Sequence, residues 1–340
     1  MITIYDIAKK ANVSAMTVSR VINNTGRISE KTRVRVRQVM EELHYVPNSA
    51  ARSLVLQETR ILSLLITDIT NPFYTTLARG AEDAAMKRGY RLLFSNSDED
   101  VGKEKEYLEM VLSTRVDGVL FSPAGDNSLP QLEKLHKHGI PFVLIDREVP
   151  GVECDTVLGD SRLGARLLVE HLFQLGHRRV ALLNGSMKVS TARERFTGYA
   201  EALKLHDLPW DDRLVFEAGY GRASLGTIEE AVERMLALPE RPTAVFAANN
   251  FLALDAVKAF RRRGLDVPHD LSVVCFDDLD PNSVLDPFLT VAAQPAYEFG
   301  SMGIRLLIDR IHGVEAGSPR KKIVLPPKLT VRQSSAPPRS

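Results

Sequence analysis

The chain has 340 residues, 44% of them hydrophobic and 26% charged, with 44 Lys+Arg against 43 Asp+Glu. That length predicts two or three domains with sizeable cores, of ordinary soluble composition. The only two cysteines, Cys154 and Cys275, sit in apolar runs, which excludes a disulfide framework and a cysteine metal site, and no run approaches a membrane span. The N-terminus enters a capped helix directly, so a cytoplasmic protein without a signal peptide is expected.

From Thr3 to Asn23 the sequence reads TIYDIAKKANVSAMTVSRVIN. Ile4, Ile7, Ala8 and Ala11 fall at helical spacing, and Thr3 with Asp6 three residues on forms a capping-box start. Asn12-Val13 breaks the pattern, and Ser14 is a good N-cap for a second helix. There Val18, Val21 and Ile22 point inward, leaving Ala15, Met16, Thr17, Ser19, Arg20 and Asn23 outside. Two short helices on a tight turn with a small, polar and basic outer face describe a helix-turn-helix, though a helical hairpin with no nucleic acid partner shares the spacing. Ser29 caps a third helix, Glu30 to His44, with Val36, Val39, Met40 and Leu43 buried. Residues 1–60 hold ten Lys+Arg against five Asp+Glu, and the rest of the chain 34 against 38. A basic head on a mildly acidic body favours a phosphate-binding head.

Tyr45-Val46-Pro47-Asn48 ends the third helix, because the residue before a proline leaves the helical region. Ser49 to Leu54 has helix formers for about two turns, marginal alone. It reads as a hinge helix that orders on DNA and drives Leu54 into the minor groove with Arg52 near phosphates, or as a plain linker with one exposed leucine.

IYDIAKKANVSAMTVSRVIN followed by YVPNSAARSL resembles the head of the LacI/GalR family of bacterial transcription regulators, and the resemblance extends from Thr3 to about Gln333. It implies a second helix in the major groove with Ala15, Met16 and Arg20 reading bases, arginine to guanine being the commonest specific contact. Thr3, Thr17, Ser19, Asn23, Tyr45 and Asn48 would meet the DNA backbone, and Leu54 matches the family's intercalating leucine. A homodimer on a pseudo-palindromic operator is implied. The chain ends without a leucine heptad, so no tetramer-forming helix is expected.

From Arg60 strands and helices alternate. Apolar runs at 61–69, 90–97, 117–123, 141–146, 154–160, 179–185, 214–219, 244–249, 272–278 and 290–294 are separated mostly by amphipathic helical stretches. Such runs predict parallel sheets covered on both faces, and ten strands are too many for one strongly twisted sheet. The fold class expected is an all-α helix-turn-helix head followed by two doubly wound parallel-sheet α/β subdomains. The division expected is a head (1–46), a hinge (47–59) and an effector-binding and dimerisation domain (60–333). Its subdomains would be about 60–159 with 291–318 and 160–290 with 319–333. Crossovers are expected at 160–164 and near Pro287, and 334–340 reads as a disordered tail.

Ligands of open parallel sheets sit beyond the carboxyl ends of the strands. This chain places there Asp68, Asn71-Pro72-Phe73-Tyr74, Ser122, Asp146-Arg147, Asn184, Tyr220, Asn249-Asn250 and Asp277-Asp278, with Arg195 on a following helix and Gln294 ending a late strand. Carboxylates, amides, arginines and aromatics grip a small polyhydroxyl ligand. The body also resembles ribose-type periplasmic sugar receptors. That resemblance makes Asn71, Phe73, Tyr74, Asp146, Arg147, Arg195, Tyr220, Asn249, Asp277 and Gln294 the effector-binding residues, for a pentose or related sugar. Asn250 departs from the pattern, since a carboxylate is frequent there, and Met187 to Ser190 fits no pattern.

An enzyme is not expected. Gly221 to Thr227 has phosphate-loop glycines but no lysine, and Ser161 lacks a nucleophile elbow. His177 beside Arg178 and Arg179 reads as a surface loop. Asp277 and Asp278 would point to opposite sides of an extended strand. No metal or cofactor is expected. The function expected is a sugar-responsive repressor of sugar-metabolism genes. The alternatives are a regulator governed by a phosphorylated carrier protein, by a sugar acid or by a sugar phosphate.

Overall fold

The computed structural model describes residues 2–45, 58–219, 225–279, 287–314 and 317–339. Asn48, Leu54 and Tyr220, and with them the expected hinge helix, lie outside the described residues. The chain divides into two compact units, Met1–Thr59 and Arg60–Ser340.

The first unit is built from α1 (Ile4–Ala11), α2 (Ala15–Ile22) and α3 (Glu30–Glu42) around Ile7, Ala8, Ala11, Val18, Val21, Val36 and Val39. The Thr3 backbone N–H and hydroxyl both donate to the Asp6 carboxylate at 2.8 Å, and these bonds hold that carboxyl below its usual range. Asn12, at φ 51°, ends α1 in the left-handed conformation that asparagine tolerates. The Ser14 hydroxyl accepts from Thr17 N–H at 3.2 Å, and Ser29 does the same from Thr32 N–H at 3.3 Å. α3 stops short of His44, because His44 itself turns to φ 47°.

The second unit runs β1 (Ile61–Ile66), α4 (Pro72–Lys87), β2 (Arg91–Asn96), α5 (Val101–Thr114), β3 (Gly118–Phe121), α6 (Leu129–Lys137), β4 (Phe142–Ile145) and β5 (Asp155–Gly159). It continues with α7 (Ser161–Gln174), β6 (Val180–Asn184), α8 (Ser190–Leu205), β7 (Val215–Glu217), α9 (Leu225–Leu236), β8 (Ala244–Ala247), α10 (Asn250–Arg262) and β9 (Ser272–Phe276). Last come β10 (Thr290–Ala293), α11 (Ala296–Ile311), β11 (Lys322–Leu325) and β12 (Lys328–Thr330). Two six-stranded sheets result, in the orders β11-β5-β4-β3-β1-β2 and β12-β10-β9-β8-β6-β7. Among the described residues every pairing is parallel except β10 with β12. Each of the ten apolar runs becomes a strand; the central ones are buried between helices as parallel sheets require, whereas the edge strand β2 keeps Leu93 and Phe94 exposed.

The lobe boundaries differ from the expected ones. The chain leaves the first lobe between Gly159 and Ser161, and it returns between Gln294 and Ala296 rather than near Pro287. β10 therefore belongs to the second sheet. It pairs with β9 through Thr290 and Val291 and so precedes the crossover. β11 belongs to the first sheet, where Ile323 pairs with Val157, and only β12 belongs to the second, so 319–333 spans both lobes.

Residues 334–339 pack against the second lobe, contrary to the reading of 334–340 as a disordered tail. Ser334 is fully buried, its hydroxyl donates to Val273 O at 2.6 Å, and Val273 N–H donates to Ser334 O at 2.7 Å. His177, expected on a surface loop, is buried. Its ring nitrogens lie 2.8 Å from Thr243 Oγ1 and 2.9 Å from Ala336 O. Burial lowers the pKa of His177 and of His171, whose Nε2 lies 2.9 Å from Ser335 Oγ. Buried polar groups need partners, and this segment supplies them.

Candidate functional site

In the head, Met16 is 63% exposed and Arg20 is exposed, both on the outer side of α2. Arg20, Arg35 and Arg37 carry no ion pair among the described residues, which leaves their charge available to phosphates or bases. Ala15, at the first position of α2, is half-buried and packs against the core. Thr17, Ser19 and Asn23 are half-buried too. Thr17 Oγ1 pairs with Ser14 Oγ at 2.9 Å, and Asn23 Nδ2 donates to Ser19 Oγ at 3.3 Å. Thr3 and Tyr45 stand at the two ends of the three-helix unit, Thr3 exposed and Tyr45 half-buried.

In the second unit the strand ends and helix starts of both lobes converge on one cavity. The first lobe contributes Asp68, Asn71, Phe73, Tyr74, Asp146 and Arg147, and the second contributes Arg195, Asn249 and Asp277. Glu99, Thr191 and Phe251 complete the lining. Sequence reasoning missed these three. Glu99 follows β2 and Phe251 follows β8, so the strand-end rule reaches both. Thr191 opens α8 and carries no such signal. The space left for water is about 30 Å³, so the cleft is nearly shut. A larger concavity, about 490 Å³, opens at the opposite strand ends of the first lobe beside Phe142 and Cys154. Few buried polar groups converge there, so chemistry rather than size selects the cleft.

Asp146 and Asp277 are counterparts in the two lobes. Each follows a central strand, each sits at positive φ (66° and 67°), and each N–H donates to a neighbouring crossover strand, at Val157 O and Ala292 O. Backbone strain of this kind concentrates at functional sites. Burial raises the pKa of both carboxyls, that of Asp277 to about 6, while Arg147 and Arg195 pull the other way. Tyr74 OH donates to Asp146 Oδ2 at 2.9 Å and lies 3.1 Å from Ser122 Oγ, and burial raises its pKa. Arg147 grips Glu99 with two bonds of 2.6 and 2.7 Å.

Arg195 is packed flat on Phe276, its guanidinium carbon 3.8 Å from the ring centroid. Its Nη1 donates to Ala248 O at 2.5 Å, whereas Nη2 stands 3.8 Å from Asp277 Oδ2 and Nε has no hydrogen-bond partner among the described residues. Gln294 is not in the lining. Its Nε2 donates to Asp277 Oδ1 at 2.9 Å, and Gly159 leaves the room it needs, since a Cβ there would overlap the Gln294 amide. Asp278 turns away from the cleft and pairs with Arg332 at 2.5 and 3.0 Å. Asn71 and Asn249 cap α4 and α10 through Phe73 N–H and Leu252 N–H. Asn250 Nδ2 crosses the cleft to Asn71 Oδ1 at 3.0 Å.

Both cysteines are buried, which raises the Cys154 thiol to about 12 and the Cys275 thiol as well. Among the described residues no cluster of His, Cys, Asp and Glu could hold a metal ion, and no helix is long and apolar enough to cross a membrane.

Residues 3–48 match the family model described as bacterial regulatory proteins, lacI family, and residues 169–335 match that of the periplasmic binding protein-like domain. The chain is 38% identical over 337 residues to the HTH-type transcriptional regulator DegA of Bacillus subtilis (strain 168), covering 98% of each chain. It is 36% identical over 311 residues to the ribose operon repressor of the same organism, covering 92% of each. Among solved structures it is similar to the lac repressor dimer bound to operator and the anti-inducer ONPF. There the TM-score is 0.83 and the identity 28%, covering 98% of this chain and 99% of that one.

Proposed function

Because the chain belongs to the LacI family of bacterial regulatory proteins and is a DNA-binding transcriptional repressor rather than an enzyme, we propose that it represses sugar-metabolism genes under the control of a small neutral sugar, a pentose or a close relative. The sugar binds between the two lobes and changes the affinity of the head for a pseudo-palindromic operator. The protein acts in the cytoplasm as a homodimer. Leu93 and Phe94, 38% and 40% exposed on the edge strand β2, are apolar surface a second copy would cover.

In the head, Ala15, Met16 and Arg20 read bases in the major groove. Thr3, Thr17, Ser19, Asn23 and Tyr45 position the backbone. Asn48 and Leu54 keep the roles the family resemblance gives them.

The observation that carries the ligand class is the gap between Arg195 and Asp277. A ligand hydroxyl that reaches this pair accepts from the guanidinium and donates to the carboxylate at once, which an ionised carboxylate or a fully ionised phosphate group cannot do. The cleft also holds four carboxylates, Asp68, Glu99, Asp146 and Asp277, against the two guanidiniums of Arg147 and Arg195. An anionic ligand would add like charge to a carboxylate cluster of which Asp146 and Asp277 are buried, so sugar acids and sugar phosphates are disfavoured. Phe73 and Phe251 offer apolar faces to C–H bonds.

A thermal-shift panel of pentoses, hexoses, sugar acids, sugar phosphates and purine bases tests this. A neutral sugar is expected to stabilise the full chain, by about 2.7 kcal/mol at 100 times its Kd. Stabilisation by charged sugars or purine bases alone contradicts the reading.

A further inference from the structure

The stretch Met187 to Ser190, which matches no motif in the sequence, lies outside the cavity lining. It meets the first lobe at the rim. Asp126, on the single turn after β3, donates its N–H to Lys188 O at 2.9 Å. Its carboxylate is held by Arg193 of α8 through two bonds of 2.7 and 3.1 Å. Arg193 Nη1 also donates to Met187 O at 2.9 Å, tying the stretch to its own helix. A few residues away Glu148 N–H donates to Ser190 Oγ at 3.0 Å. The first-lobe side is braced from beneath, where buried Glu104 accepts from Ala124 N–H at 2.8 Å and from the Ser128 hydroxyl at 3.0 Å. The approach is close at Gly125, where a Cβ would stand 3.0 Å from Lys188 O.

We propose that Met187–Arg193 is a latch that holds the two lobes together at the cleft rim without ligand. Arg193 and Asp126 act as positioning residues that set how readily the cleft opens. This is a form of regulation of the same cleft, and it rests on the sugar reading only for its consequence, the rate at which a ligand enters and leaves. An isolated half-exposed ion pair contributes little. This one is bidentate and acts with two backbone N–H groups that lose their partners when the lobes part, so the contacts break as a unit. The Arg193 and Asp126 side chains are 31% and 33% exposed, so added salt weakens the pair.

Amide hydrogen exchange of the full chain with no sugar present reads the latch directly, because the N–H groups of Asp126 and Glu148 are two of its donors. Arg193→Ala is expected to speed exchange of segments 124–128 and 146–149 about tenfold, which corresponds to about 1.4 kcal/mol of easier opening. β1 and β6 should be unchanged, Arg193→Lys intermediate, and added salt should act in the same direction as the substitution. Asp126→Asn provides a second variant that keeps the turn. Unchanged exchange at both segments in both variants overturns the latch, and so does acceleration spread equally over the core strands. Because no ligand is used, failure here is separate from failure of the sugar panel.

Discussion

Asp277→Asn is expected to stabilise the protein at neutral pH and at the same time to erase its response to the effector. The Asp277 carboxyl titrates near pH 6 in the folded chain against an ordinary 3.8, chiefly because it is buried, with Arg195 only partly compensating. Between these two values the folded state holds a proton that the unfolded state has lost. Stability contributed by this group is therefore complete below the ordinary carboxyl pKa and falls as pH rises through about 6. At about pH 7.5 the charged carboxylate costs the fold about 1–3 kcal/mol, and an amide of the same shape removes that cost. Below about pH 4 the wild-type and variant melting temperatures should converge. The amide still accepts from Gln294 but gives a ligand hydroxyl no anionic acceptor. Melting curves across pH with operator titrations check both halves. A variant less stable at neutral pH, or one that keeps its effector response, contradicts the role given to Asp277.

The second large effect falls on the head. Arg20→Ala is expected to cost about 1–3 kcal/mol of specific operator binding, roughly 5–150-fold, with loss of preference at one base pair in each half-site. Binding to unrelated duplex should change little, because phosphate attraction comes from several cations, Arg35 and Arg37 among them. Arg20→Lys should not restore specificity, since an ammonium cannot reproduce the two-pronged contact to guanine. Competition binding with operator variants measures this. Equal loss on specific and unrelated duplexes would mean that Arg20 meets only the backbone.

How much of this was legible in the sequence depended on what each residue answers to. The strands could be read because buried parallel strands are continuous apolar runs, as in ILSLLI (61–66) and SVVCF (272–276). β11 and β12 were missed. Lys322–Leu325 alternates between exposed and half-buried on a sheet edge, and Lys328–Thr330 is only three residues beyond a pair of prolines. The tail was misread because its composition is that of a loose end. What orders it is the need of His171, His177 and Thr290 for partners, which lies elsewhere in the chain. Asp146 and Asp277 were legible from the strand-end rule, and Arg195, inside α8, from the resemblance to sugar receptors. Gln294 was legible as a residue of the region, but its bond to Asp277 was not. The rim contacts had no signal at all, because half of them use the N–H of Asp126, the N–H of Glu148 and the carbonyl of Lys188, groups that every residue carries.

In the proposed function one chain couples a DNA-reading head to a two-lobed sugar clamp. Its most direct test is selection of the full-length protein against random duplexes, followed by titration of the recovered site with and without the neutral sugar that raises the melting temperature. A pseudo-palindromic site is expected, with an affinity that shifts by roughly 5–150-fold when the sugar is added. Recovery of no preferred sequence, or of one whose affinity is the same with and without that sugar, would contradict it.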